Sequence, residues 1–430
     1  MAEKPSGSSA PLINDPAHRD WLRRDARRQL DFFRASLRDD GGFDVLDPRG
    51  QALTGQPQEL HTTARLVHSF ALGHLAGAPD CWPIIDAGIA ALRERHRDPP
   101  HGGYAWSITG RGIADGTKLA YGQVFVLLAA ATATEAGHPD APALLADAAA
   151  VIDRHFWDED AGLLRDEFAR DWTVFSTYRG LNANMHGVEA MLAAHEATGD
   201  ALWLSRAGRV LDFFVNRIAP QHGDRMPEHY HQNWTVDHDY SGNLMFRPPG
   251  STPGHSFELA RLLIQHWDLA GRSDARALTR ARALIRQAHR NAWRADGGYV
   301  YTLDRHGTPA IRDRYWWPVT EAIGAVAALL KLEDAPEADT SKDDALYRRL
   351  WRFAQSHFID AEHGGWYPEI DEAGRPMARQ FMGKPDIYHA FQAALFPALP
   401  GVSRLAQQAR RTRFLADQGK SDQDHRDACN

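Results

Sequence analysis

Cysteine is scarce in this chain of 430 residues, which contains only Cys81 and Cys429. Two cysteines cannot build a disulfide framework, and they cannot supply a cysteine-rich zinc site. Because chains without disulfides are typical of a reducing compartment, the composition predicts a cytoplasmic protein.

An excess of positive charge is also missing, since 49 Lys and Arg residues stand against 56 Asp and Glu residues. The net charge of −7 offers no basic field for phosphates or anionic lipids. The longest apolar run, residues 124–131 with its Ala and Thr continuation, is shorter than the roughly 20 residues that span a bilayer. The first residues also lack the apolar segment of a signal peptide or anchor. We therefore expect neither a nucleic-acid nor a membrane partner.

Several cofactor and nucleophile motifs are missing as well. The sequence has no GxGxxG after a predicted strand, no P-loop, no GxSxG and no HExxH, so nucleotide binding and serine-hydrolase chemistry have no local support. Histidine and tryptophan are instead abundant, with 22 and 13 residues. Imidazoles titrate near neutral pH and indole rings can stack on sugars, so both residue types suit a small neutral substrate.

One phrase recurs six times along the chain: a polar lead, one or two glycines, an aromatic or apolar residue, a short extended stretch and a polar turn. Clear copies are DDGGFDVLDPRGQ, PPHGGYAWSITGRG, DGGYVYTLDRHGTP and EHGGWYPEIDEAGRP; weaker copies are DEDAGLLRDEF and QHGDRMPEHY. The anchor glycines, 59 to 75 residues apart, are Gly42, Gly103, Gly162, Gly223, Gly298 and Gly365. Between them, apolar residues have the spacing of helix pairs.

This repeat predicts an all-α protein in which six helix pairs close into an (α/α)6 barrel, with short β-hairpin loops at one mouth. A single pair cannot bury its apolar faces, so neighbours must stack; an open solenoid is the alternative. We predict a disordered leader over residues 1–16, one catalytic domain over 17–412 and a polar tail over 413–430. The starts of the inner helices would then surround a cavity, where function should be sought.

Polar and ring-bearing residues cluster after the repeat loops, at the predicted starts of the inner helices. In STPGHSFELARLL, His255 and Glu258 lie three residues apart on one helix face, where a carboxylate can orient an imidazole. In NANMHGVEA, Asn182, His186 and Glu189 likewise share a face. This pattern indicates acid and base groups that act together.

In GKPDIYHAF, Asp386 is placed to cap a helix, and His389 lies one turn further on. Each candidate also has a structural interpretation, since a histidine facing a helical core is usually a satisfied structural residue. Arg65 can be a buried ion-pair partner or a solvated charge, and Trp316 and Trp317 can belong to the core. The polar clusters nevertheless follow the repeat, which random structural histidines would not do.

The segments HYHQNW and DHDY resemble metal-ligand sets at first sight, through His229, His231 and His238. Alternating histidines arise by chance in a chain this rich in histidine, and no HExxH or Cys/His pattern accompanies them. We therefore expect no metal and no other cofactor.

The motifs TARLVHSF, YRGLNANMHGVEA, STPGHSFELARL, WWPVTEAIG and GKPDIYHAF resemble, in this order, those of the N-acylglucosamine 2-epimerase superfamily, and within it the aldose-ketose isomerase branch. The resemblance runs from about Trp21 to Pro400 and implies an (α/α)6 barrel. His255 and His389 match the two catalytic histidines of the family. The positions that match its pocket residues are Arg65, His186, Glu258 and Glu321, followed less closely by Tyr121, Asn182 and Trp317.

The resemblance implies an isomerase that interconverts D-mannose and D-fructose, so the expected partner is a monosaccharide. Ring opening and proton transfer through a cis-enediol suit two imidazoles. We favour His389 as the carrier of the C1/C2 proton and His255 as the acid/base for ring opening, although the two roles can be exchanged. Arg65 would stabilise the enediolate oxygen, and Glu258 would hold the tautomer of His255.

Two alternatives belong to the same family, a 2-epimerase and a sulfoquinovose isomerase. The sulfosugar isomerases that this chain resembles have a Gln at the variable position of GKxDIYH and an additional Arg shortly before TPGH. This chain has Pro385 at the first place and Met245 near the second, which favours an uncharged sugar. Arg247 lies close enough to keep the sulfonate alternative open.

Two further alternatives have a different chemistry. A glycoside hydrolase on an (α/α)6 ring would need a pair of carboxylates, for which the candidates are Glu228, Asp237, Glu258 and Glu369. A helical scaffold without enzymatic activity would have no reason to concentrate histidines at the mouth of the ring.

Overall fold

The computed structural model describes residues 10–240, 242, 247–332, 335 and 338–417. Its helices are α1 (Pro16–Arg34), α2 (Leu60–Leu75), α3 (Trp82–Ala90), α4 (Ala120–Ala136), α5 (Ala141–Val151), α6 (Leu181–Thr198), α7 (Ala201–Leu211), α8 (Ala219–Gln221), α9 (Pro253–Leu269), α10 (Ala277–Ala292), α11 (Trp316–Leu330), α12 (Thr340–His357), α13 (Tyr388–Ala398) and α14 (Leu405–Thr412). A 3-10 turn at Leu12–Asn14 precedes α1, and π-helical turns at Ala91–His96, Ile152–Phe156 and Asp212–Ile218 extend α3, α5 and α7.

Six helices form an inner ring in the order α2, α4, α6, α9, α11 and α13, and α13 packs against α2 to close it. Around this ring, α3, α5, α7, α10, α12 and α1 pack on α2, α4, α6, α9, α11 and α13, respectively. Outer and inner helices therefore alternate along the chain. The prediction of a closed, all-α (α/α)6 barrel is confirmed.

The apolar pattern of each helix decides its place in the two rings. All residues of the inner helix α11, Trp316–Leu330, are buried, as expected for a helix that is apolar on every side. The outer helix α10 is amphipathic, and its buried residues include Ala281, Leu284, Ile285 and Ala288 on one face. Arginines occupy much of the rest of its surface, because that side of the helix meets water.

Short antiparallel strands connect the pairs at one end of the barrel. They are β1 (Val45–Leu46), β2 (Ala52–Leu53), β3 (Gln58–Glu59), β4 (Ser107–Thr109), β5 (Gly112–Asp115), β6 (Lys118–Leu119), β7 (Trp157–Asp158), β8 (Leu163–Leu164), β9 (Glu167–Phe168), β10 (Arg179–Gly180), β11 (His229–Tyr230), β12 (Arg314–Tyr315) and β13 (Glu369–Ile370). They pair as β1–β2, β3–β4–β5, β6–β9, β7–β8, β10–β11 and β12–β13. Because α2, α4, α6 and α11 each begin directly after a strand, the strands surround the N-terminal ends of the inner helices.

The repeated glycines have a conformational reason. Five anchors, Gly103, Gly162, Gly223, Gly298 and Gly365, have φ between 64° and 79°, in the left-handed region that glycine tolerates. In the first repeat Gly41 takes this conformation instead of the predicted Gly42, with φ of 76°. The repeat phrase is therefore a turn whose backbone requires glycine; the other copies with two glycines use the left-handed region at both positions, and the first copy uses it at one.

The packed chain extends beyond the predicted boundaries of the catalytic domain. Ile13 is buried, and the backbone N–H of Leu12 donates to the carboxylate of Asp344 at 2.6 Å, so the 3-10 turn within the predicted leader is ordered. Leu415 is also buried, and its N–H donates to the carbonyl of Ala76 at 2.7 Å. Residues 1–9 and 418–430, which complete the predicted leader and tail, lie outside the described residues. Within the described part, every helix is too short or too polar to span a bilayer.

Candidate active site

A cavity of about 350 Å³ opens at the mouth formed by the inner-helix N-termini and the strands. This volume lies at the lower end of the range for small-molecule sites. Nine of the ten residues predicted for the site line the cavity: Arg65, Tyr121, Asn182, His186, His255, Glu258, Trp317, Asp386 and His389. The tenth, Glu321, lies behind His389 and reaches the cavity only through that imidazole.

His255 occupies the first turn of α9, which begins at Pro253 after an extended Thr252. Its Nδ1 lies 2.9 Å and 3.0 Å from the two carboxylate oxygens of Glu228, and the same carboxylate accepts the backbone N–H of Thr252 at 3.0 Å. Glu228 therefore fixes the ring orientation of His255, and Nε2 is the nitrogen available to a substrate.

The prediction that Glu258 holds the tautomer of His255 is wrong, because Glu228 has that place. A side chain in the first helical turn leans toward the N-terminus, which brings the imidazole to the loop that carries Glu228. Glu258 instead lies 3.4 Å from Nδ1 of His186 and 3.7 Å from the guanidinium of Arg261.

His389 has an equivalent arrangement on the neighbouring helices. Its Nδ1 lies 2.9 Å from Oε1 of Glu321, on the second turn of α11. Burial opposes ionisation of Glu321, but Arg261 and His389 outweigh it and lower the pKa of this carboxyl. An ionised Glu321 accepts from Nδ1–H and leaves Nε2 of His389 for proton transfer.

Trp317 lies between the two imidazoles, with its ring centroid 5.1 Å from that of His255 and 5.8 Å from that of His389. The indole approaches the backbone of Gly254 so closely that a Cβ there would lie 2.2 Å from a ring carbon. Gly254 thus permits the packing that places Trp317 in the cavity wall. Its neighbour Trp316 also lines the cavity, so neither tryptophan belongs only to the core.

Arg65 brings a buried positive charge to the cavity. Its Nη1 donates to Asp386 at 2.8 Å and its Nη2 to the hydroxyl of Tyr121 at 2.7 Å, while the guanidinium lies 4.8 Å from the ring centroid of Tyr388. Burial alone would weaken this cation, but Tyr121 and Asp386 raise the pKa of Arg65. Asp386 also accepts the backbone N–H of Tyr388, the first residue of α13, at 2.9 Å. The N-cap residue itself is Ile387, so the predicted cap lies one residue before it.

Burial shifts the pKa values of two groups that line the cavity, His186 and Glu258. Burial, together with Arg65, lowers the pKa of His186 well below its ordinary value. Burial, together with the nearby Glu321, raises the pKa of Glu258 well above its ordinary value. A neutral imidazole and a neutral carboxylic acid can both donate and accept hydrogen bonds, as hydroxyl groups of a ligand would require.

Several buried polar atoms around the cavity lack a hydrogen-bond partner within the described residues. They are Oδ1 of Asn182, Nε of Arg65, Nδ1 of His186 and both carboxylate oxygens of Glu258. Burying such groups without partners costs free energy of folding.

A metal could be considered at His186, Glu189 and Glu258, whose ligand atoms lie within 4.8 Å of one another. The guanidinium of Arg261 lies 3.5 Å from Glu189 and 3.7 Å from Glu258, so a fixed cation already compensates these two carboxylates. In the other candidate set, both ring nitrogens of His229 are engaged, with Tyr178 at 2.9 Å and with the carbonyl of Pro248 at 2.7 Å. Independence from metal stays a prediction.

The glycoside hydrolase alternative needs two carboxylates that face one another across the substrate. Of its four candidates, Glu258 is the one that lines the cavity. Glu228 holds His255, and Glu369 accepts the backbone N–H groups of Gln380 and Phe381. This geometry does not favour hydrolysis through any pair of the four.

Sequence reasoning missed two groups that organise the site. Glu228 was considered only as a hydrolase carboxylate, although it stands near the end of QHGDRMPEHY, a weak copy of the repeat. Arg261 was not considered; its guanidinium joins three buried carboxylates, with Glu321 at 3.1 Å. An arginine in the apolar run of an inner helix was the available signal, since a buried cation needs partners.

Comparison with known proteins identifies the family of this chain. The family model described as N-acylglucosamine 2-epimerase matches residues 41–393. A D-mannose isomerase from Thermobifida fusca is 41% identical over 397 residues, which cover 91% of this chain and 96% of the relative. A D-mannose isomerase from Pseudomonas cannabina pv. alisalensis is 40% identical over 405 residues, covering 92% and 96% of the two chains.

Solved structures show the same architecture. A crystal structure of a D-mannose isomerase matches with a TM-score of 0.80 at 28% identity, covering 91% of this chain and 99% of the other. A cellobiose 2-epimerase from Spirochaeta thermophila matches with a TM-score of 0.77 at 20% identity, covering 93% and 98%, which concerns the fold alone. This chain therefore belongs to the N-acylglucosamine 2-epimerase family and is an enzyme that isomerises or epimerises sugars.

Proposed function

We propose that the enzyme interconverts D-mannose and D-fructose through a cis-enediol. The observation that carries this proposal is the pair His255 and His389, each held at Nδ1 by a buried carboxylate and both exposed to one cavity. Two such imidazoles can carry out two separate proton transfers as general acids and bases. The similarity to two D-mannose isomerases supports the choice of sugar.

Ring opening is assigned to His255. Its Nε2 accepts the proton of the anomeric hydroxyl and returns a proton to the ring oxygen as the C1–O5 bond breaks, so no net proton is gained. Glu228 stabilises the imidazolium that forms during this step, since its carboxylate lies 2.9 Å from Nδ1. The product of the step is the open-chain aldose.

Proton transfer between carbons is assigned to His389. Its Nε2 takes the C2 proton, the electron pair of the C–H bond forms the C1–C2 double bond, and the carbonyl electrons leave a negative charge on O1. The O2 proton then passes to O1, and as the C2=O bond forms His389 returns its proton to C1, which gives the ketose. Glu321, 2.9 Å from Nδ1, stabilises the charged imidazole between the two transfers.

The remaining lining groups stabilise the enediol. The Arg65 guanidinium is a buried cation in the cavity lining and can compensate negative charge on an enediolate oxygen. His186 and Glu258, both favoured in their neutral forms, can hydrogen-bond the hydroxyls that move little during the reaction.

The charges around the cavity suit an uncharged sugar. The lining cations Arg65 and Lys384 are paired with Asp386 at 2.8 Å and Asp360 at 2.7 Å. Arg247, which kept the sulfonate alternative open, donates to Glu167 at 2.6 Å and stays outside the lining of the cavity. Pro385 lines the cavity and has no donor to offer, while Met245 lies outside the described residues.

A competition assay tests this substrate class. We expect kcat/KM for D-mannose to exceed that for sulfoquinovose by at least about tenfold, a difference of about 1.4 kcal/mol in transition-state binding. Initial products distinguish the remaining family alternative, because an isomerase forms fructose first and a 2-epimerase forms glucose. A reversed ratio would contradict the choice of sugar while leaving the histidine assignments in place.

A further inference from the structure

Some groups that line the cavity have no part in the chemistry assigned above. Among them are Glu59 and His61, which flank the start of α2 at residue 60. In the inner ring, α2 is three helices away from α9 in either direction. Glu59 and His61 therefore lie across the mouth from His255, at the N-terminal end of the helix that carries Arg65 further in.

The backbone of Glu59 is fixed, but its carboxylate remains available. Glu59 pairs with Ser107 in the β3–β4 ladder, and it is the N-cap residue of α2 without a side-chain capping bond. Its side chain is 38% exposed, and its Oε2 lies 3.6 Å from Nδ1 of His61. The imidazole stacks on Trp106, with centroids 5.1 Å apart and an interplanar angle of 9°, which holds the pair against the cavity wall.

Charge pairing makes Glu59 different from the other acidic groups of the lining. Asp44 is paired with Arg38 at 3.1 Å, Asp386 with Arg65 at 2.8 Å, and Glu258 lies 3.7 Å from Arg261. Among the described residues, neither Lys nor Arg forms a salt bridge with Glu59. Burial raises the pKa of the Glu59 carboxyl, and the charge of Arg65 opposes that rise. In its ionised form the carboxylate adds negative charge to this wall of the cavity.

We infer that Glu59, supported by His61, is a specificity-determining residue that accepts hydroxyl groups at the remote end of the sugar and repels substrates with an anionic group at C6. A carboxylate accepts hydrogen bonds from neutral hydroxyls. A sulfonate, phosphate or carboxylate at C6 would meet a like charge and would lose its solvation without a donor in return. This inference rests on the proposed function, because the two histidines set the direction of the bound sugar.

The variant Glu59→Gln tests the inference by removing the charge while keeping the size and one hydrogen-bond acceptor. D-mannose and D-mannose 6-phosphate serve as the uncharged and charged probes, measured by calorimetric titration and by turnover at pH 8. We expect the ratio of phosphate-sugar to mannose affinity to rise at least about tenfold in the variant. In the wild type, added salt should raise the same ratio, because salt screens the repulsion.

The matched control is Glu372→Gln, which changes the net charge equally at an exposed position outside the cavity lining. An unchanged ratio in Glu59→Gln, or an equal change in the control, would overturn the role of Glu59. If the wild type converts mannose to fructose and Glu59→Gln leaves the affinity ratio unchanged, the role of Glu59 is overturned and the proposed function stands. Mannose binding without turnover, accompanied by the expected change in ratio, would overturn the proposed function and keep the charge effect. Failure of mannose to bind would overturn both.

Discussion

His255→Ala and His389→Ala should each lower kcat for D-mannose at least about 100-fold, the usual contribution of a positioned acid or base. The two imidazoles serve different proton transfers, so neither can replace the other. Steady-state kinetics with mannose, together with circular dichroism to establish folding, measures the effect. Because the lost groups act in transition states, kcat should fall more than KM changes.

His306→Ala is the matched control, since this histidine lies exposed on a turn outside the cavity lining. It should retain wild-type kcat. Near wild-type activity in either cavity variant would remove that histidine from the mechanism, and an equal loss in the control would point to a general effect of histidine removal.

Arg261→Met should lower the free energy of unfolding by about 3 to 5 kcal/mol at pH 8, because it leaves buried carboxylates without their cation. Arg261 lies 3.1 Å from Glu321, 3.5 Å from Glu189 and 3.7 Å from Glu258. Methionine is close to the arginine stem in shape, so lost charge rather than a cavity dominates the change. Urea unfolding measures the effect.

The pH dependence of this loss follows from the direction of the pKa shifts. In the wild type, Arg261 helps to hold the pKa of Glu321 below its ordinary value, so this pair stabilises the fold above the unfolded pKa and loses its effect as pH falls. Without the cation, the folded carboxyls favour protonation, and the variant should approach the wild type as pH falls.

Two further substitutions separate charge from geometry at this position. Arg261→Lys keeps a cation and should lose less stability than Arg261→Met. Arg375→Met removes an exposed partner of Asp371 and should cost no more than about 1 kcal/mol. Equal stability of Arg261→Met and the wild type at pH 8 would contradict the charge balance assigned to the cluster.

The fold could be predicted from the sequence because each repeat encodes the same local structure. A glycine turn, an apolar inner helix and an amphipathic outer helix recur six times, and closure into a ring buries the faces that one pair leaves open. The first copy shows the limit of the pattern, because Gly41 has a positive φ there and Gly42, the predicted anchor, does not. The letters of two adjacent glycines do not show which of them needs the left-handed conformation.

The sequence predicts which residues line the cavity, but it does not predict which of their side chains contact one another. Helix spacing correctly placed His255 and Glu258 on α9. It could not show that the imidazole of His255 is hydrogen-bonded to Glu228, in a loop 27 residues earlier. Contacts between side chains on different inner helices, such as Glu321 with His389, depend on the ring geometry. Spacing within one helix carries no information about them.

Conversion of D-mannose in ²H₂O, followed by NMR, tests the central claim most directly. We expect D-fructose as the first product, with deuterium from solvent in at least part of its C1 positions, because an imidazole proton can exchange with water while the enediol exists. The same experiment with His389→Ala should show little fructose. Absence of fructose from the wild-type reaction, or fructose that carries no solvent deuterium at C1, would contradict proton transfer by histidine through an enediol.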